Sequence, residues 1–353
     1  VTDGKLELGD FVKVDMMKEP LSPLPITDEE ANLFTTGWGL TGFNTLGYTM
    51  GDVTMTPDYP RAAQLASDMQ KAIVGDDIDG VFAVDPVFLQ YMLGIVGGTQ
   101  LPDGTVVDGS NAAKVLLHDI YWNYPVEEQD AIFAAVAGSA FNKIVDELGS
   151  SDITKIAGAI EKGASEGRIL MYSRNDDEEK AAKALGISGA LQNDASEAPI
   201  LGVFVNNYSY SKMDWFLDKR VTIDSSVENA DGSTTYRVTT SLKNTMTPQE
   251  KAEMPGYFRG HNGISEDIDD EVLRLYLYAP AGGSISDIKT SGSGSIETNE
   301  ATHDGLKVAW GGVHMLLGQD IKVEYTVTTS KDSRHKELKV RTTPTAQTFE
   351  QDK

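Results

Sequence analysis

Apolar residues recur along this chain at two different spacings, and the change of spacing divides it. In Pro60 to Ile73, the residues Leu65, Met69 and Ile73 share one face of a 3.6-residue period, with Pro60 suited to a first turn and Gly75 to a stop. An acidic turn (Asp76, Asp77, Asp79) leads into a short apolar run, Val81 to Val84, which reads as a buried strand. Asp85-Pro86 then has the form of an N-cap followed by proline at the first helical position, and Gly97-Gly98 ends that helix. A long helix is predicted from Val126 to Leu148, with Glu127 and Glu128 in its first turn and Ile132, Val136, Ala140 and Ile144 on its buried stripe. A shorter helix follows with Ile153, Ile156 and Ile160 in phase. Next come a strand from Arg168 to Tyr172, an acidic helix start at Asp176 to Glu179 and a strand from Ile200 to Val205. Strand–helix–strand order of this kind predicts an α/β domain over residues 1–205, layered on a mostly parallel sheet.

From Lys219 the period becomes two. RVTIDSSV, TTYRVTTSL, VLRLYLYAP and IKVEYTVTTS alternate or run apolar, with turns at Asp231-Gly232 and Asp304-Gly305. This predicts an antiparallel β-sandwich over 219–343, joined through 206–218 and followed by a tail at 344–353. The one long connection, 244–270, reads as a helix-free surface loop. At the other end, VTDGKLELGDFV reads as strand, Asp3-Gly4 turn and strand, so a further strand is expected upstream of Val1.

Charge narrows the function classes. Thirty basic residues against 54 acidic ones give 353 residues a net charge of −24. Such a surface repels phosphate backbones and anionic lipid heads, so no nucleic-acid partner is expected. No run of apolar residues approaches the length of a membrane span, so membrane attachment is expected only through an upstream anchor outside this sequence. The chain contains no cysteine, which leans toward an exported bacterial protein.

Candidate chemistry is sparse. Asp85 ends a predicted strand, where ligands of open α/β sheets bind, although Asp before Pro is first an N-cap. Tyr172, Arg174, Asn206, Asn207, Lys212 and Asp214 fall where the last α/β strand meets the β-rich half and could frame a cleft with Asp85; the plainer role is to build the junction. Trp38, Phe43 and Tyr48 crowd a Gly/Thr-rich segment, an arrangement used for sugars or partners and more often for anchoring loops. Glu266, Asp267, Asp269, Asp270 and Glu271 form the densest carboxylate group, where Ca²⁺ or Mg²⁺ could bind without any specifying ligand spacing. No other cofactor is expected. The histidines are scattered, and no Gly-x-Ser-x-Gly elbow or P-loop is present, so no catalytic residue is assigned.

Four stretches together resemble the bacterial surface-protein family called domain of unknown function 4012. They are DGVFAVDPVFLQYMLGIVGG, EGRILMYSRNDDEEKAAKALGISGAL, VNNYSYSKMDWFLDKRV, and the loop at 257–260 followed by LYLYAP. The resemblance implies a membrane-anchored protein of actinobacteria and relatives with its folded part outside the cell, and implies no reaction. The run from Asp79 to Leu148 is also similar to the LytR–CpsA–Psr family of glycopolymer transferases, which hold a polyprenyl pyrophosphate with several arginines. No arginine occurs here between Ala62 and Gly167, so none of that family's catalytic residues carries over. The expectation is a non-catalytic envelope protein that binds a glycan, a cell-wall polymer or a surface protein. A divergent transferase and a structural assembly subunit are the alternatives.

Overall fold

The computed structural model describes residues 24–35, 46–75, 77–101, 103–147, 153–208, 211–260, 269–335 and 337–346. They form two compact units, one spanning Asp79–Ser188 and one joining the residues up to Ile78 with those from Gly189 onward.

In the unit Asp79–Ser188, strands β1 (Gly80–Val84), β2 (Thr99–Gln100), β3 (Val106–Val107) and β4 (Ile169–Ser173) make two small ladders. β1 pairs with β4 antiparallel, with Val84 opposite Ile169, which corrects the expected parallel arrangement. The physical reason lies in the connection. Helical stretches at Pro86–Val96, 112–123, Val126–Glu147 and Ile153–Ser165 bring the chain back to the end of β1 that it left, as an antiparallel partner requires. Hydrophobic period reports which face is buried and carries no information about strand direction.

The individual elements follow their local signals. Asp85 caps Pro86–Val96 by accepting from the Phe88 N–H at 2.7 Å, Pro86 opens the helix, and Gly97 closes it at φ 87°. Leu93, Leu101, Val107, Ile120, Ile132 and Val136 share one apolar cluster; Phe88, Met92, Ile156 and Ala159 form another. The stretch 112–123 was not predicted as helix. Its middle, Val115–Asp119, winds as a π-helix, a form too irregular for a 3.6-residue pattern to reveal.

The other unit holds β5 (Ile200–Asn207), β6 (Leu217–Glu228), β7 (Thr234–Asn244), β8 (Glu271–Tyr278), β9 (Ser284–Gly292), β10 (Ser295–Ile296), β11 (Asn299–His303), β12 (Leu306–Met315), β13 (Asp320–Thr328) and β14 (Lys339–Thr342). One sheet runs β10-β12-β8-β5-β14, with β11 also on β12; the other runs β6-β7-β13-β9. Leu201, Val203, Leu273, Leu275, Val238 and Val323 from both sheets meet in one core, a sandwich. β5, expected to close the α/β half, therefore belongs here. It pairs antiparallel with β8 and parallel with β14, the one parallel pair among the described residues.

Every residue of β8 is buried. Leu273, Leu275 and Leu277 face the second sheet, while Tyr276 and Tyr278 pack with Leu33, Phe34, Leu65 and Met69 of helices Asp28–Phe34 and Tyr59–Val74. The unit thus has three layers, helices on sheet on sheet. The hairpin turn between β11 and β12 uses Asp304 and Gly305, both at positive φ (48° and 75°), as a two-residue turn demands. The connection 244–270 is not helix-free. Pro248–Glu253 is a helix with a Thr247/Glu250 capping box, and Gly256–Arg259 is a second short turn of helix with Phe258 buried. The Thr-x-x-Glu signature was in the sequence, but six residues are too few to show a period.

Candidate functional site

The sequence-predicted residues fall into separate groups. In the unit Asp79–Ser188, Asp85 sits at the end of β1 with both oxygens engaged. Oδ1 accepts the Phe88 N–H, and Oδ2 meets Arg168 Nη1 at 2.6 Å. Arg168 is 5% exposed and also donates from Nε to Glu166 Oε2 at 2.6 Å. Tyr91 donates its hydroxyl to the same Glu166 oxygen at 2.9 Å, and Lys162 stands 4.1 Å over the Tyr91 ring. Burial pushes the Asp85 pKa up and is opposed by the Phe88 N–H and Arg168. Burial likewise pushes the Tyr91 hydroxyl up to about 12, with Glu166 adding to the rise. The arrangement is a closed relay of charge and hydrogen bonds that ties the start of one helix to the turn entering β4. Tyr172 lies in β4 opposite Val81, and the Arg174 backbone N–H donates to the Asp79 carbonyl at 2.8 Å.

Asn206, Asn207, Lys212 and Asp214 lie in the other unit. Asn206 donates to the Met55 carbonyl (2.9 Å), and Asn207 donates to both Asp214 Oδ1 (3.0 Å) and Ser211 Oγ (3.3 Å). Desolvation by surrounding protein pushes the Asp214 carboxyl up to about 6, with Asn207 and Lys212 opposing it; the residue nevertheless keeps an exposed surface, which tempers that shift. The Lys212 amine is pushed down by burial, with Asp214 opposing. These four residues brace a turn and the short helix Met213–Phe216 that leads into β6. Tyr48 is half-buried in the turn before Val53. Trp38, Phe43, Glu266 and Asp267 lie outside the described residues.

Of the acidic group proposed for metal, Asp269 is held by Lys251 (2.7 Å) and the Leu317 N–H (3.0 Å), and Asp270 Oδ2 lies 3.0 Å from His314 Nδ1. Among the described residues, no three carboxylate or histidine side chains converge at the spacing of a formed metal site.

Two groups escaped sequence reasoning, and a third was read there only as part of an acidic cluster. Arg274, in the run VLRLYLY of β8, is 2% exposed; its guanidinium lies 4.4 Å from the Tyr208 ring and 4.5 Å from the Trp310 ring. Its Nη1 donates to the Leu33 carbonyl at 3.0 Å, as does the Tyr276 hydroxyl at 3.1 Å, so both cover the C-terminal carbonyls of helix Asp28–Phe34. An arginine in the middle of an apolar strand was the available signal. His118 and Asp119, within the π-helix, lie 2.8 Å apart, and the His118 ring stacks on Trp122 at 4.7 Å. Glu271, the last residue of the acidic cluster read from the sequence, is fully buried at the start of β8, with neither carboxylate oxygen hydrogen-bonded among the described residues.

A family model described as "Protein of unknown function (DUF4012)" matches residues 1–121, the N-terminal third of the chain. The matched residues include β1 and the capped helix Pro86–Val96. The resembling stretches beyond residue 121 lie outside that match. No curated protein and no solved structure matches the chain.

Proposed function

We propose that this chain is the folded, extracellular part of a membrane-anchored bacterial envelope protein, and that it works by binding a protein partner rather than by catalysis. One contrast carries the reading. Asp85, the acid best placed for chemistry, has both oxygens committed to a helix cap and an arginine. On the adjoining strand, Phe82 and Val84 are bare to solvent, at 65% and 58% exposure. Chemistry needs a free, poised acid, whereas recognition needs accessible apolar surface.

The net charge of −24 selects among the partners that the sequence left open. It opposes anionic cell-wall polymers and favours a surface that is basic and apolar together. Lysines or arginines flanking leucine or valine would satisfy both the field and the exposed side chains. The transferase alternative needs arginines converging on a diphosphate, and Arg168 is instead consumed by Asp85 and Glu166.

The test is equilibrium binding of the whole chain to immobilised peptides, one set basic and apolar, one acidic, alongside neutral glucan and teichoic-type polymer. The basic set should bind, weaken with salt, and lose at least tenfold affinity in a Phe82→Ser/Val84→Ser double variant with an unchanged circular dichroism spectrum. Tight binding to the anionic polymer, or indifference to the double substitution, would remove this reading.

A further inference from the structure

Glu271 begins β8 on the face that turns into the sandwich, in phase with Leu273, Leu275 and Leu277. It is 0% exposed, and neither carboxylate oxygen meets a hydrogen-bond donor among the described residues. β12 sets Met315 opposite it, an apolar neighbour that offers no counter-charge. Asp214 approaches from the same face. Its Oδ1 accepts from the Asn207 side chain at 3.0 Å, and Asn207 pairs directly with Leu273, two residues along β8 from Glu271. Directly opposed residues of a ladder share a face, as do residues two apart on one strand. Burial pushes the Glu271 pKa well above the ordinary carboxylate range, and the charges of Asp214 and Asp270 push it further.

The neighbouring charges are engaged elsewhere. Asp270, one residue earlier, turns to the opposite face, where its Oδ2 meets His314 Nδ1 at 3.0 Å. Lys251 lies 2.7 Å from Asp269, and Lys212 acts on Asp214. A buried carboxyl with no donor and a like charge on its own face is relieved most simply by a proton. Once that proton leaves, two carboxylates face one another at the rim of the core, where the low dielectric strengthens their repulsion.

We propose that Glu271 is a proton-operated latch for the short helix Met213–Phe216, closed while its carboxyl is neutral and released when it ionises against Asp214. Hydrogen bonds fasten both ends of this helix. The Lys212 N–H donates to the Phe258 carbonyl at 2.8 Å, and the Phe216 carbonyl accepts from the Thr245 N–H at 2.9 Å. Asp214 lies between those points, so repulsion from Glu271 bears on the stretch between the two fastenings. The sign follows from linkage. A carboxyl whose folded pKa is raised stabilises the closed joint fully below the ordinary glutamate range, and that stabilisation fades as pH rises through the folded value. Asp214, pushed up to about 6 by desolvation, gains its charge in the same direction.

The experiment is hydrogen–deuterium exchange of the whole chain across pH, corrected for the intrinsic exchange rate, together with infrared detection of protonated carboxyl groups. Amides of residues 213–217 should exchange about tenfold faster near pH ~8 than near pH ~5, and a carboxylic-acid band should vanish with the same half-point. Glu271→Gln should remove that band and hold exchange in the segment constant to within about twofold. If Glu271→Gln fails to fold, Asp214→Asn decides the matter. It should move the half-point of band and exchange to lower pH, because the like charge that favours the proton is gone. The proposal is overturned by exchange in 213–217 that ignores pH, or by persistence near pH ~8 of the band that Glu271→Gln removes. It is equally overturned by a Glu271→Gln variant that still opens, which would hand the switch to Asp214, or by an Asp214→Asn variant with an unmoved half-point.

Discussion

Arg168 and Arg274 are both almost wholly buried, yet the two units solve the same problem in opposite ways. Arg168 is neutralised by two carboxylates, Asp85 and Glu166, at 2.6 Å each. Arg274 has no carboxylate within ion-pair distance among the described residues; it is satisfied by the Leu33 carbonyl and by the faces of Tyr208 and Trp310. In the first unit Arg168 lies beside the two-stranded β1–β4 ladder, where its partners Asp85 and Glu166 keep 30% and 29% of their side chains exposed and come from the flanking cap and turn. The second buries β8 on both faces, and there a charge uses what the layers offer: helix-end dipoles, aromatic quadrupoles or, for Glu271, no hydrogen bond among the described residues. Thick layered packing lowers the number of available counter-charges and raises the cost of each that is missing.

The largest expected effect tests this difference directly. Arg168→Met leaves two carboxylates facing each other beside a helix cap and should cost about 3–5 kcal/mol in urea unfolding. Arg274→Met leaves only a carbonyl and two rings, and should cost about 1.5–3 kcal/mol. Equal costs for the two substitutions would erase the distinction drawn between the units.

Glu271 sharpens it through pH. A carboxyl whose folded pKa lies above its unfolded value binds its proton more tightly in the native state. Its contribution to stability is therefore full below the ordinary glutamate range and is lost as pH rises from about 4.5. The unsubstituted chain should lose stability from pH 4 to pH 8 relative to Glu271→Gln, with the variant the more stable at the upper end. Parallel stability curves for the two proteins would mean that Glu271 titrates normally.

The smallest effect concerns backbone packing in the unit Asp79–Ser188. A Cβ on Gly109 would lie 2.3 Å from the Gly94 Cα, whereas a Cβ on Gly94 would stand 3.6 Å from the Gly109 Cα, an ordinary contact. Gly109→Ala should cost about 1–3 kcal/mol, because backbone cannot step aside. Gly94→Ala should be tolerated or gain up to about 1 kcal/mol from helix propensity. Similar thermal midpoints for the two variants would show that the loop at Gly109 moves freely away from the helix.

Local grammar was legible at many caps and turns among the described residues. Asp85-Pro86 as cap and first turn, Gly75 and Gly97 as helix stops, and Asp304-Gly305 as a hairpin turn all act within a few residues, through sterics and hydrogen bonds that sequence neighbours set by themselves. Short or irregular elements were not legible. The helix Pro248–Glu253 and the π-turn at Val115–Asp119 hold too few residues, or the wrong period, for an apolar stripe to emerge.

The sequence by itself determined where most helices start and stop, the absence of thiol chemistry and the acidic field around the protein; it misplaced the run Val81 to Val84, expected to be buried, where Phe82 and Val84 face solvent. The tertiary structure alone decided that β1 and β4 run antiparallel, that β5 joins the sandwich, that Asp85 is spent on Arg168 across 83 positions of chain, and that Glu271 is buried with no hydrogen bond among the described residues. The division has a physical cause. Burial tendency and capping are properties of a residue and its near neighbours, whereas strand direction and charge pairing depend on the path of a long connection. No local pattern encodes that path.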